Sequence, residues 1–157
     1  MSLSRGALKV QQALTAIGVQ LAVVELPAST RTSQEAAQAI GCQLEQIAKS
    51  IVFRSCSTHR AVLVIASGTN RINEQVVAEQ LGEPVCKAEA DFVREHTGYV
   101  IGGVPPVGLA EPVPIFIDQD LLAYAEIWAA AGTPHAVFRL TPADLLRMTG
   151  GRISKVT

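Results

Sequence analysis

IAKSIVF (Ile47–Phe53) and AVLVIAS (Ala61–Ser67) are two apolar runs separated by little more than STHR, 57–60. Both read as buried strands, the first extending to about Cys56, and so tight a connection predicts an antiparallel pair. Side chains alternate along a strand, so Ile47, Lys49, Ile51 and Phe53 share one face. The ammonium of Lys49 therefore points the same way as three large apolar groups. Lysine is almost never fully buried without a partner. Two readings are open: Lys49 snorkels to water or pairs with a carboxylate, or it is a cation held at the floor of a pocket.

Working outward, apolar Ala7, Leu8, Val10, Leu14 and Ile17 recur at helical spacing from Ser4 to Ile17. VQLAVVEL (Val19–Leu26) is strand-like and stops at Pro27. TSQE (Thr32–Glu35) fits a capping box for a helix over Ser33–Ile40, ended by Gly41. A short turn over Leu44–Ile47 feeds the opening strand. Asn73 is a plausible N-cap for Glu74–Leu81, and a further short helix is expected over Ala88–His96. Ile115–Asp118 and His135–Leu140 read as strands, while Ala125–Gly132 is ambiguous. TPADLLRM (Thr141–Met148) places Thr at N-cap and Pro at N1, a helix closed by Gly150 and Gly151. The fold class expected is α+β: one domain over residues 1–157, a mixed, largely antiparallel sheet surrounded by helices.

The bulk composition excludes several functions. The 157 residues are 48% hydrophobic and 17% charged, far from a disordered profile. Net charge is −1 and the 13 Lys and Arg form no run, which argues against tracking a long nucleic acid. Contact with one end of a nucleic acid remains compatible. Aromatics are only 4%, too few for base-stacking sheets. No apolar run approaches a membrane span, and the cytoplasm is the expected compartment. Cys42, Cys56 and Cys86 lack metal spacing and are expected as three reduced thiols. A Cys–His nucleophilic pair using Cys56 is formally open, without a local signature.

GGVPPVG (Gly102–Gly108) cannot be regular structure. It is either a sheet-crossing turn or a loop whose Gly102 and Gly103 amides approach a ligand while Pro105 and Pro106 stiffen it. His135 follows a Gly-Thr-Pro turn and is structural or functional by the same token. No phosphate-loop, dinucleotide or zinc-protease pattern occurs. From the residues alone the reading is an α+β domain with a small-ligand pocket.

The segments IAKSIVF, VLVIASG, GYVIGGVPPVG and WAAAGTPHAVFRLTPADLLRMTGG, in this order and spacing, resemble the YbaK/prolyl-tRNA-synthetase-associated editing domain family. The resemblance implies a barrel-like sheet and a free-standing deacylase, which hydrolyses the ester of a small amino acid wrongly attached to tRNA, typically tRNA(Pro). It places the family's strand lysine on Lys49, its substrate loop on Gly102–Pro106 and a polar site on Thr133 and His135. The expected machinery is Lys49 with the Gly102 and Gly103 amides. Ile47, Ser50, Ile51, Ser67, Val104, Pro105, Pro106, Thr133 and His135 are expected around the substrate. Neither metal nor cofactor is implied. The expected partners are a tRNA acceptor end and prolyl-tRNA synthetase. The rival reading is a non-catalytic binder of a nucleotide or aminoacyl ligand.

Overall fold

The computed structural model describes residues 2–157. In chain order the elements are α1 (Arg5–Ala16), β1 (Val23–Glu25), α2 (Ser33–Ile40), β2 (Ile47–Ser55), β3 (Ala61–Ser67), α3 (Glu74–Leu81), β4 (Val85–Lys87) and α4 (Ala90–Thr97). They continue as β5 (Ile115–Asp118), β6 (Ile127–Ala130), β7 (Ala136–Leu140), α5 (Pro142–Thr149) and β8 (Arg152–Ser154). Short 3-10 turns precede β2 and follow β5.

The opening pair forms as the sequence implies: β2 and β3 are antiparallel from Ala48↔Ser67 to Arg54↔Ala61. All seven residues of β3 are buried, because the strand is covered on both faces. Leu63 and Ile65 enter the main core with Val10, Leu14, Phe138 and Leu145. Val62, Val64 and Ala66 point the opposite way, onto Val77 of α3 and Phe116 of β5. A strand sandwiched in this way needs a continuous apolar run rather than alternation. Each fully buried Leu or Ile contributes about 1.5–3 kcal/mol by leaving water.

The sheet order is β1-β7-β6-β2-β3-β5-β8, with β4 also paired to β2. Parallel contacts join β2 to β6, β3 to β5 and β5 to β8; the other four pairings are antiparallel. The sheet is therefore mixed, and it is open, with β1 and β8 at its ends. Helix caps follow the sequence signals closely. Thr32 accepts the Glu35 N–H at 3.1 Å, and Thr141 and Asp144 cap each other reciprocally.

Three expectations change. The strand over Val19–Leu26 shrinks to Val23–Glu25. Two strands, β4 and β8, were not foreseen; each has only three residues, too few for a readable alternation. Nor are there three reduced thiols: Cys56 and Cys86 form a disulfide, leaving Cys42 free. The β2–β4 register sets Arg54 opposite Cys86 and brings the two Cα atoms to 5.5 Å, within bridging range.

One detail of the topology makes the site. Because β3 occupies one edge of β2 throughout, β6 and β4 must share the other. β6 pairs only at Ile47 and Ala48, and β4 only at Phe53 to Ser55. Lys49 to Val52 thus face an opening where β6 diverges from β2.

Candidate active site

A cavity of about 220 Å³ fills that opening. Its walls are β2 from Ile47 to Ile51, Trp128 to Ala130 of β6, Val137 of β7, the Thr30–Ser33 entry to α2 with Ala36, and Ile101, Gly102 and Val104 of the glycine-rich loop. Ligand pockets generally span roughly 300–1,000 Å³, so this one suits a small group.

Lys49 is half-buried in the wall, and among the described residues no carboxylate lies within ion-pair distance of it. Burial pushes its ammonium below the ordinary lysine range, opposed by the field of Asp118. Asp118 is itself buried and already committed. Its carboxylate accepts the Ser67 N–H at 3.0 Å, the Asn70 amide at 2.7 Å and the Asp120 N–H at 3.0 Å. Lys49 is thus neither fully exposed nor paired with an acid among the described residues.

The expected site residues divide. Ile47, Lys49, Ser50, Ile51, Gly102 and Val104 converge on the cavity; Ser67, Gly103, Pro105, Pro106, Thr133 and His135 do not line it. Ser67 is a buried brace, its hydroxyl donating to the Glu45 carbonyl at 2.7 Å. Gly103 offers no free amide, because its N–H donates to the Val100 carbonyl at 2.9 Å. Its own carbonyl accepts the Gly132 N–H at 2.8 Å, and a Cβ there would sit 3.0 Å from the Gly132 backbone. Gly103 therefore clasps the loop to the β6–β7 turn. Pro105 is buried in the loop, and Pro106 faces a separate surface groove with Met148 and Thr149. Thr133 accepts the His135 N–H, and His135 Nδ1 lies 3.1 Å from the Ala28 carbonyl, where its N–H form donates. Both stand behind the cavity and fasten the loop that carries Thr30 and Arg31. The Thr30 N–H adds a bond to the Pro134 carbonyl at 2.6 Å.

Several wall residues escaped sequence reasoning. Arg31 and Trp128 are the main ones; nothing in STRTSQE separates Arg31 from any exposed arginine. Trp128, the single tryptophan, lies in the stretch Ala125–Gly132 that reads ambiguously, and it is half-buried against Ile47 and the cavity. Thr30 and Ser50 carry buried hydroxyls without a hydrogen-bond partner, a signal that exists only in three dimensions.

Residues 27–148 match the aminoacyl-tRNA editing domain. The chain belongs to the aminoacyl-tRNA editing domain family. That family's enzymes are deacylases, hydrolases that release amino acids from tRNA. A protein of Bacillus subtilis named YwhH, described as uncharacterized, is 30% identical over 131 residues, 83% of each chain. The Enterococcus faecalis protein EbsC, given as a candidate Cys-tRNA(Pro)/Cys-tRNA(Cys) deacylase, is 25% identical over 80% of this chain and 77% of its own. A crystal structure of a candidate trans-editing enzyme for prolyl tRNA synthetase superposes with a TM-score of 0.93 at 49% identity, covering 99% of both chains.

Proposed function

We propose that this editing domain is a trans-acting deacylase that clears small, wrongly attached amino acids from tRNA(Pro) in the cytoplasm, working beside prolyl-tRNA synthetase. The observation that carries this reading is the unpaired, half-buried Lys49 on the wall of a cavity of about 220 Å³. An aminoacyl ester is already activated, so hydrolysis needs positioning and charge stabilisation more than a strong nucleophile. Water adds to the carbonyl carbon, the ester C–O bond breaks, and the ribose oxygen leaves as a hydroxyl carrying a proton from the attacking water. Lys49 meets the negative charge that develops on the ester oxygen, and the low dielectric around it strengthens that interaction. With Gly103 engaged elsewhere, Lys49 takes a larger share of oxyanion stabilisation than the sequence suggested.

Alanine, cysteine, serine, threonine and 2-aminobutyrate all fit the size of the cavity. An apolar sieve separates neighbours in that series by only about 1–3 kcal/mol per methylene, whereas wall hydroxyls discriminate more sharply. The wall includes the hydroxyl residues Thr30, Thr32, Ser33 and Ser50, and a panel of amino acids shows whether they select serine and threonine. A thiol mechanism through Cys56 is disfavoured, since that sulfur is in the disulfide. The test is a deacylation panel of the five amino acids on tRNA(Pro). Release of at least one, lost in Lys49→Ala with circular dichroism unchanged, supports the reading; no release of any of the five overturns it.

A further inference from the structure

The cavity wall contains two charged residues, Arg31 and Lys49, and no carboxylate. In a chain of net charge −1, that is a local surplus of two positive charges around one small opening. The two cations differ in kind and in depth. Lys49 is half-buried, a compact point charge in the sheet. Arg31 is exposed on the entry to α2 and forms no ion pair among the described residues. A guanidinium presents a planar fork that grips phosphate through two parallel bonds, and it stays charged at any working pH.

The loop opposite holds Arg31 in place. Gly102 lies at φ +87°, and a Cβ on it would fall 2.6 Å from Arg31 Cγ and 3.1 Å from the Arg31 carbonyl. The arginine stem thus rests where only a glycine leaves room, packed against the loop that forms the facing wall, and Arg31 itself lines the cavity. Thr32 and Ser33, at the N-terminus of α2, line the same side, so the positive end of that helix adds to the field. Glu35 also sits in the first turn, where it accepts the Thr32 hydroxyl and lies outside the cavity wall.

We propose that Arg31 is the phosphate anchor of the site, seating the phosphodiester that leads to the terminal nucleotide at the mouth and leaving Lys49 free for the acyl ester. This deepens the deacylase reading and rests on it. The two cations then serve different terms: Arg31 binds ground state and transition state alike, while Lys49 acts on charge that develops during reaction.

Two measurements test this. The first is steady-state deacylation of the best mischarged tRNA(Pro) at several salt concentrations. Arg31→Ala should raise KM about tenfold or more with kcat little changed. It should also flatten the salt dependence of log kcat/KM by about 0.7, the loss of one phosphate contact on a single strand. Arg31→Lys should recover part of the affinity, whereas Lys49→Ala should lose kcat. The second needs no catalysis: Trp128 fluorescence, titrated with a short RNA ending in the acceptor nucleotides, should report binding that Arg31→Ala weakens. Inorganic phosphate should compete only at far higher concentration.

If wild type binds the RNA and Arg31→Ala binds equally, the anchor is wrong while the deacylase reading stands. A kcat loss in Arg31→Ala with KM and salt slope unchanged also overturns it. Wild type that neither binds nor deacylates removes both. Arg31 is exposed, so its variants should keep the wild-type melting temperature, and that is checked first.

Discussion

Gly82 and Gly102 share a positive φ of +87° in very different surroundings. A Cβ at Gly82 meets nothing within 4 Å; at Gly102 it strikes the Arg31 stem at 2.6 Å. An alanine in the left-handed region costs about 1–2 kcal/mol. The stiffer unfolded chain returns roughly 0.4–1 kcal/mol of that. Gly82→Ala should therefore lose about 1 kcal/mol, roughly 2–4 °C in melting temperature for a chain of this size, and leave deacylation unchanged. Gly102→Ala carries the same backbone penalty plus the displacement of Arg31. Forcing that side chain off its rotamer adds about 0.5–1.5 kcal/mol, and the 3.1 Å approach to the Arg31 carbonyl requires a backbone shift as well. The expected total is about 2 kcal/mol, together with a higher KM for mischarged tRNA. Thermal melts and kinetics on the two variants isolate the steric contribution, because the backbone penalty cancels between them. Equal melting temperatures with an unchanged KM for Gly102→Ala would refute the claim that this glycine exists to seat Arg31.

Three further outcomes are expected. Reducing the Cys56–Cys86 bridge, which spans a sequence separation of 30, should destabilise the protein by about 3–4 kcal/mol in the chain-entropy account. Denaturant midpoints with and without reductant measure this, and a free-thiol count of three in the untreated protein would contradict the bridge. Lys49→Met should abolish deacylation yet leave the fold as stable or more so at neutral pH, since burial disfavours the charged amine. That penalty is fully present below the lowered folded-state value and fades as pH rises toward the ordinary lysine value. The stability gap between variant and wild type should therefore narrow between neutral pH and about pH 10.5, and a widening gap would reverse the assigned sign. Asp118→Ala should cost about 1–3 kcal/mol because it strands the buried Ser67 N–H, while the Asp120 N–H and the Asn70 amide, which also bonds Asp120, lie nearer water. Asp118→Asn, which keeps acceptor oxygen, should cost less in the same urea titration.

The sequence alone determined the helices and the central strand pair, since these depend on local signals. Thr32, Asn73 and Thr141 cap within three residues, Gly41, Gly82 and Gly150 stop their helices, and Ala61–Ser67 is an uninterrupted apolar run. It also singled out Lys49, because a cation in a strand of hydrocarbon is a conflict visible in one dimension. It could not show that Gly103 spends its amide on Val100, that Ser67 braces rather than lines, or that Cys56 meets Cys86 across a strand too short to recognise. Arg31 and Trp128 lay equally out of reach. They stand 18 and 79 residues from Lys49 in the chain, and only the parting of β6 from β2 brings all three around one cavity. Caps and apolar runs are written by neighbours, whereas a cavity is made by what the sheet leaves unpaired, and that is decided only when distant strands meet.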